Sequence, residues 1–314
     1  MKYLIVGAGG TGGLIGGYLA KTNHDVTLVA RGKHLENIKN NGLIIHSYTG
    51  ETNSIKNIKA ISAEELDNQP YDVIFICVKA YSLKDIASTV EKASDENTII
   101  IPILNAMEAG NILREEIPNR KISDGCIYVT GYISAPGEIT QNNQIFRIVY
   151  GFSGKEKTDF PALIQLENDL TSSDINVTYA SDIYSAIFRK LCFTSAFAAV
   201  GSFHNANAKD MRENKEYNEQ FKALLAELDE IKEAAHFTND YDLIEENLKI
   251  LNHLADEFTA SLQKDLAAGK PDEREQLIFD IVKIADRLEV AAPNYRKIAE
   301  FFGYKEKGVA YQEH

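Results

Sequence analysis

Cysteine is scarce in this sequence. The three cysteines, Cys77, Cys126 and Cys192, are odd in number, far apart and without any CxxC pair. This set excludes a disulfide framework and predicts a reduced, cytoplasmic setting. For Cys192 a reactive thiol and a buried structural cysteine are both open, and buried inert thiols are the commoner case.

Positive charge is also scarce. Lysine and arginine total 33 against 46 acidic residues, which gives a formal net charge of −13. This balance argues against a nucleic-acid or anionic-membrane surface, and no basic stripe with interleaved aromatics is present. Any lysine or arginine in an apolar or glycine-rich context is therefore informative.

Metal-ligand spacings and long apolar runs are missing as well. The seven histidines show no HExxH or comparable pattern, so we predict no metal. No uninterrupted run approaches the roughly 20 apolar residues that span a bilayer, so we predict no membrane partner. What the sequence does contain is a series of short apolar runs and a glycine-rich turn.

The apolar runs predict the fold. Continuous apolar segments lie near residues 3–6, 25–30, 71–78 and 97–104, with helical segments between them. This order is typical of a parallel sheet that is covered on both faces. The region from 122 to 151 alternates more and predicts antiparallel strands that finish the sheet, followed by a helix near 159–170 and a strand at 175–179.

From about residue 181 the pattern is helical throughout, with apolar residues at helical spacing. A chain of 314 residues is also long enough for two domains. We therefore predict an α/β fold, with an N-terminal Rossmann-type doubly wound sheet over 1–179 and an all-helical C-terminal domain over 180–314.

A dinucleotide-binding pattern follows the first predicted strand. The segment "YLIVGAGGTGG" contains Gly7, Gly9 and Gly12 as GxGxxG between a strand and a helix. These glycines suit a tight turn, a close backbone approach to a pyrophosphate and close helix packing, and the helix offers its first amides to phosphate. The motif predicts a nicotinamide dinucleotide site, and a glycine-rich surface turn is the disfavoured alternative.

The end of the second strand favours NADPH over NADH. An NAD site usually has Asp or Glu there, whereas this sequence reads "LVARGKH" with Arg31 at that point and Lys33 nearby. Arginine can bind a 2′-phosphate bidentately, and an exposed loop arginine is the alternative. Two more strands end near Lys79 and Asn105, and ligands bind at such strand ends in open α/β sheets. The alternatives are a lysine in a solvated loop and an asparagine that only forms a turn.

A pair of cations interrupts an apolar helical segment, "SAIFRKLCFTSAFAAVGSF", at Arg189 and Lys190. An apolar surrounding disfavours the charged form of a lysine, so a lysine held in this segment would donate a proton more readily. The alternative is a lysine whose ammonium extends from a partly exposed helix face into water.

Together, "VGAGGTGG", the arginine after the second strand, "VKA", the loop "LNAM" and "FRKL" resemble ketopantoate reductase (2-dehydropantoate 2-reductase) over essentially the whole chain. The resemblance implies NADPH-dependent reduction of ketopantoate to pantoate, on the route to pantothenate and coenzyme A. It implies roles for ten residues: pyrophosphate binding by Gly7, Gly9 and Gly12, 2′-phosphate binding by Arg31, proximity to the cofactor and reacting centre for Lys79 and Asn105, catalysis by Lys190 and Glu273, and substrate binding by Ser261 and Thr194.

The sequence departs from the family on the stripe that follows the lysine. The family usually has asparagine four and eight residues after it, and this chain has Thr194 and Ala198. Ala106 also stands where glycine is common in the family. Two alternatives therefore accompany the ketopantoate hypothesis: a reductase of a different 2-oxo acid, and an NADP-binding sensor without turnover. A homodimer is a further possibility, because apolar positions on the last helices could support one.

Overall fold

The computed structural model describes residues 1–238 and 240–305, so the predicted C-terminal limit at residue 314 lies outside the described part. The chain divides into two compact units, the first spanning Met1–Ile187 and the second beginning at Phe188. The division falls inside a long helix, further along the chain than the predicted boundary between residues 179 and 180.

All the strands that the described residues form belong to the first unit. In chain order they are β1 (Lys2–Val6), β2 (Asp25–Val29), β3 (Leu43–His46), β4 (Thr52–Ile55), β5 (Lys59–Ile61), β6 (Val73–Ile76), β7 (Ile99–Pro102), β8 (Lys121–Ile122), β9 (Asp124–Tyr128), β10 (Gly131–Ala135), β11 (Glu138–Gln141), β12 (Arg147–Gly151) and β13 (Asn176–Tyr179).

The main sheet has six parallel strands in the order β5-β2-β1-β6-β7-β8. Alternate residues of its strands enter two separate hydrophobic clusters. Tyr3 and Ile5 of β1 belong to one cluster, and Leu4 and Val6 belong to the other. Both faces of the sheet are therefore buried, which explains why its strands read as unbroken apolar runs. The Rossmann-type prediction is confirmed.

Both units contain helices. The first unit contains α1 (Gly10–Lys21), α2 (Gly32–Asn41), α3 (Leu83–Lys92), α4 (Ala109–Glu116) and α5 (Ala162–Ser172), and α6 (Ile183–His204) continues into the second. The second unit contains α7 (Ala208–Glu213), α8 (Lys215–Ala234), α9 (Leu243–His253), α10 (Ser261–Ala267), α11 (Asp280–Arg287) and α12 (Pro293–Phe301). Its described residues contain no strand, as predicted.

The prediction that the 122–151 region finishes the main sheet is wrong. Strands β10, β11, β3 and β4 form a second sheet in that order, and β13, β12 and β9 form a third. The second sheet packs on α1 because that helix presents glycines to it. A Cβ on Gly13 would collide with Ile139 of β11, and one on Gly17 would collide with Ile45 of β3.

Helix α6 is long and apolar enough to cross a membrane by length and composition alone. Arg189 and Lys190 interrupt its apolar residues, so the helix contains no uninterrupted apolar run of that length. Within the protein, 67% of its most apolar 18-residue stretch is buried, as is usual for a core helix. The buried thiol of Cys192 lies on this helix, and burial raises its pKa, so it stays protonated.

Candidate functional site

Four neighbouring strands of the main sheet end at one edge with predicted site residues. The register pairs Val6 of β1 with Val29 of β2 and Ile76 of β6, and pairs Ile76 with Pro102 of β7. The glycine loop begins directly after β1, and Arg31, Lys79 and Asn105 follow their strands by two or three positions. The chain leaves β1 towards β2 on one side and returns to β6 on the other, which is the switch point where open α/β sheets bind ligands.

The first glycine makes the turn that leaves β1. Gly7 has φ +101°, a left-handed conformation that favours glycine, and its amide bonds the Val29 carbonyl at 3.3 Å. Gly12 serves packing instead. A Cβ there would stand 2.9 Å from Ile5 Cγ2 and 3.0 Å from Cys77 Cβ, and it would collide with the Gly7 carbonyl oxygen.

Gly9 differs from Gly7 and Gly12, because neither its backbone conformation nor its neighbours require a residue without a side chain. It caps α1 with φ −72° and ψ −167°, and a Cβ there would have no atom within 4 Å. The first-turn amides of α1 have no partner inside the helix, and no acidic side chain lies in that turn. An open space beside helix amides fits a pyrophosphate, so the residues at this turn suit a dinucleotide.

Arg31 caps the N-terminus of α2 in extended conformation, with φ −138° and ψ 155°. Its side chain and that of Lys33 are exposed. Two cations therefore stand where an NAD site would have a carboxylate. A phosphate at this point would meet an arginine fork and the first amides of α2.

Lys79 and Asn105 follow the next two strands. Lys79 has extended backbone, precedes a 3₁₀ turn at Ala80–Ser82 and is partly buried. Asn105 is also partly buried, in the loop between β7 and α4. Cys77, two positions before Lys79, lies beside the glycine loop, and burial raises the pKa of its thiol, which keeps it un-ionised.

The other predicted site residues lie in the second unit. Lys190 and Thr194 are partly buried on one stripe of α6, and the Thr194 hydroxyl donates to the Lys190 carbonyl at 3.2 Å. Ala198, the next residue on that stripe, is fully buried. Arg189 points elsewhere: its guanidinium lies 4.1 Å from the Tyr241 ring centroid and makes a two-nitrogen pair with Glu246.

Glu273 is buried, with 4% exposure, immediately before a helical segment. Its carbonyl accepts a hydrogen bond from the Leu277 amide at 2.9 Å. The flanking residues fix this segment, because Arg274 donates to both carboxylate oxygens of Asp272 at 2.9 and 2.6 Å. That pair raises the pKa of Arg274.

A buried contact joins this segment to α6. The Ser195 hydroxyl donates to the Leu277 carbonyl at 2.5 Å and lies 2.8 Å from the Tyr295 hydroxyl. Ser195 is five positions after Lys190, and Leu277 is four after Glu273. The elements that carry the lysine and the glutamate are thus packed on each other. Residues Glu275–Phe279, which lie between Glu273 and α11, form a π-helical turn. Sequence periodicity did not predict this turn.

Ser261 is exposed at the first position of α10. The neighbouring Gln263 fixes this helix start, because its Oε1 accepts from the Ala260 amide at 2.9 Å and its Nε2 donates to the Ala206 carbonyl at 3.0 Å. A Cβ on Gly201 of α6 would meet Gln263 Oε1 at 2.5 Å. The start of α10 is therefore held against the C-terminal part of α6.

Sequence reasoning did not single out His34, which lies one helical turn after Arg31. Its Nε2 is 2.9 Å from the carbonyl oxygen of Ala8 in the glycine loop. The only sequence signal was its place in "ARGKH", beside the two cations. Among residues 1–238 and 240–305, no group of three or more His, Cys, Asp or Glu side chains is placed to hold a metal ion.

Family models cover most of the chain. Residues 3–154 match the model described as ketopantoate reductase PanE/ApbA, and residues 182–306 match its C-terminal counterpart. An uncharacterized oxidoreductase of Bacillus subtilis (strain 168), YkpB, is 28% identical over 93% of this chain and 95% of its own length. The 2-dehydropantoate 2-reductase of Aquifex aeolicus (strain VF5) is 25% identical over 98% of this chain and 97% of its own.

Solved structures share the fold at lower identity. A PanE/ApbA family ketopantoate reductase from Ralstonia eutropha JMP134 has a TM-score of 0.86 at 21% identity, over 96% of this chain and 97% of that one. The ternary structure of D-mandelate dehydrogenase with NADH and anilino(oxo)acetate has a TM-score of 0.83 at 19% identity, over 96% of both chains. A dimeric ketopantoate reductase from Staphylococcus aureus has a TM-score of 0.80 at 19% identity, over 96% of this chain and 97% of that one.

The two family models, the two-part fold and the dinucleotide loop lead to the same assignment. The chain is an oxidoreductase that belongs to the ketopantoate reductase family.

Proposed function

We propose that the protein reduces a 2-oxo acid with NADPH, and that 2-dehydropantoate, reduced to pantoate for pantothenate and coenzyme A synthesis, is the first substrate to test. The row of strand ends carries this proposal: a glycine loop, an arginine, a lysine and an asparagine follow four neighbouring parallel strands at one edge. The family membership supports the choice of substrate class.

In this proposal the first unit holds the nucleotide. Gly7, Gly9 and Gly12 with the first turn of α1 receive the pyrophosphate, and Arg31 binds the 2′-phosphate. Lys79 and Asn105 border the cofactor. When bound, the reduced nicotinamide supplies the hydride that adds to the ketone carbon.

The second unit supplies the proton. Lys190 donates a proton from Nζ to the ketone oxygen as alkoxide character develops there, a contribution worth about 10²- to 10⁴-fold in rate. Glu273 orients that ammonium, and its burial keeps its carboxylate away from water. Ser261 binds the substrate carboxylate through its hydroxyl, helped by its position in the first turn of α10.

A reductase of another 2-oxo acid is the second candidate, and a specific observation favours it. The Thr194 hydroxyl bonds the Lys190 carbonyl, and Ala198 is fully buried and apolar. The stripe after the lysine therefore offers fewer hydrogen bonds than the two asparagines usual in the family. A site that lacks such partners discriminates less against acids without a hydroxyl group.

The test is steady-state oxidation of NADPH at 340 nm with 2-dehydropantoate and a panel of branched and aromatic 2-oxo acids, repeated with NADH. Preference for 2-dehydropantoate supports the first candidate, and faster turnover of another acid supports the second. Tight NADPH binding with no turnover of any acid would replace both with a sensor.

We also propose a cytoplasmic homodimer. Cys77, Cys126 and Cys192 form no disulfide, which suits a reducing compartment. The dimeric relative from Staphylococcus aureus and the 62% exposure of Phe301 at the end of α12 support self-association. Light scattering coupled to size-exclusion chromatography tests it, and a monomer mass at working concentration would exclude the dimer.

A further inference from the structure

We propose that His34 is a positioning residue that aims the glycine loop at the nucleotide, an inference that rests on the proposed nucleotide site. Its ring is held at both nitrogens: Nε2 lies 2.9 Å from the Ala8 carbonyl oxygen, and Nδ1 lies 2.9 Å from the Gly137 amide nitrogen. An amide can only donate, so Nδ1 accepts. Nε2 therefore carries the proton of the neutral ring and donates to Ala8.

These two bonds join three segments that the sequence separates. Ala8 belongs to the glycine loop, His34 lies in the first turn of α2 behind Arg31, and Gly137 forms the turn between β10 and β11. That turn packs tightly on α2, since Gly137 has φ +83° and a Cβ there would stand 2.8 Å from Asn37 Cβ. One imidazole thus connects the pyrophosphate loop, the 2′-phosphate arginine and a hairpin.

The bond to Ala8 has a direct consequence for the loop. The Ala8 carbonyl and the Gly9 amide belong to one planar trans peptide, so the direction of the carbonyl fixes the direction of the N–H. His34 holds the oxygen, and the Gly9 amide is turned to the opposite side. A Cβ on Gly9 would meet open space within 4 Å, which is where an approaching phosphate would find room.

The arrangement requires the neutral ring. Burial lowers the pKa of His34, and the bond to the Ala8 carbonyl opposes this in part. The charged groups on the elements that contact it are Arg31, Lys33, Glu36 and Lys39 on α2 and Glu138 on the hairpin. Glu138 pairs with His46 at 2.8 Å.

Protonation would put a second N–H against the Gly137 amide and break that bond. The bond to Ala8 does not depend on this change, because Nε2 carries a proton in both the neutral and the protonated ring.

Two variants separate the two bonds. His34→Asn keeps an acceptor near the Nδ1 position and loses the donor to Ala8, whereas His34→Gln keeps a donor near the Nε2 position. Binding of NAD⁺ and NADP⁺ is measured by isothermal titration calorimetry at pH 8, where the ring is neutral.

At pH 8 we expect His34→Asn to weaken both nucleotides by about tenfold, the usual cost of a hydrogen bond at a polar loop, and His34→Gln to stay within about twofold of the wild type. Wild-type binding in His34→Asn, or a loss in His34→Gln as large as that in His34→Asn, would overturn the inference. Absence of any nucleotide binding by the wild-type protein would instead refute the proposed function.

Discussion

The proposed functional groups of the first unit differ in kind from those of the second. The first unit uses backbone: the turn at Gly7, the bare space at Gly9 and the free amides of α1 are features of main-chain geometry. The second unit uses side chains, with Lys190 on α6 and the buried Glu273 carrying the proposed chemistry. Backbone sites leave a glycine pattern in the sequence, whereas side-chain sites on helices leave only residue identities at helical spacing.

The sharpest test of this division is Lys190→Ala. The variant should lose about 10² to 10⁴ in kcat, because the proton donor is gone, while its NADP⁺ affinity should stay within twofold. Steady-state turnover and calorimetry measure the two quantities. Arg189→Ala is the matched control: it removes the adjacent cation, whose partners are Tyr241 and Glu246, and turnover should change little. An unchanged kcat in Lys190→Ala would remove the lysine from the mechanism.

Arg31→Ala should produce the opposite pattern. A charge-assisted bond to phosphate is worth about 1.5–3 kcal/mol, so NADPH affinity should drop by roughly 10- to 100-fold with little effect on NADH. The neighbouring Lys33→Ala, equally exposed, should have the smaller effect. Equal weakening of the two cofactors in Arg31→Ala would mean that this arginine does not bind the 2′-phosphate.

Two glycine substitutions separate binding from packing inside the first unit. Gly9→Ala should keep the wild-type melting temperature, because its Cβ meets nothing within 4 Å, and should weaken NADP⁺ by about tenfold by occupying the phosphate space. Gly12→Ala should instead lower the free energy of unfolding by about 1–3 kcal/mol, since its Cβ collides with the Gly7 carbonyl. Calorimetry and thermal unfolding distinguish them, and a reversal of the two effects would contradict this account of the loop.

The smallest expected effect concerns substrate choice in the second unit. Thr194→Asn restores the residue usual in the family and should raise kcat/KM for 2-dehydropantoate by about three- to tenfold relative to other 2-oxo acids. Ala198→Asn is no equivalent change, because Ala198 is fully buried and an added amide would destabilise the helix packing. A Thr194→Asn protein with unchanged preference would place the specificity elsewhere.

Much of the fold could be predicted because continuous burial leaves continuous apolar runs. β2, β6 and β7 lie within predicted segments, and β1 extends beyond its segment only by Lys2, since both faces of the main sheet are covered. The short strands of the second sheet gave no such signal. β3 and β4 bury only part of their residues, and β3 pairs with β11 from a distant part of the chain, in a sheet that packs on the glycines of α1.

For the candidate site, the strand-end positions could be predicted from order alone, because every parallel strand delivers its following loop to one edge. The ring of His34 could not, since its two partners, Ala8 and Gly137, are 26 and 103 positions away in the sequence. Likewise the contact of Ser195 with Leu277, which joins the elements of Lys190 and Glu273, is a long-range hydrogen bond with no local pattern.

The π-helical turn at Glu275–Phe279 amounts to one extra residue inserted into an otherwise α-helical stretch. Each residue of an α-helix advances about 100° around its axis, so deleting one residue from this turn would rotate everything before it by that angle relative to α11. Glu273 would then face a different direction while every side chain of the proposed site remained in the protein. The π-helical turn therefore fixes the direction of the Glu273 carboxylate. Inserting or deleting a residue in the turn would change that direction, as a substitution could.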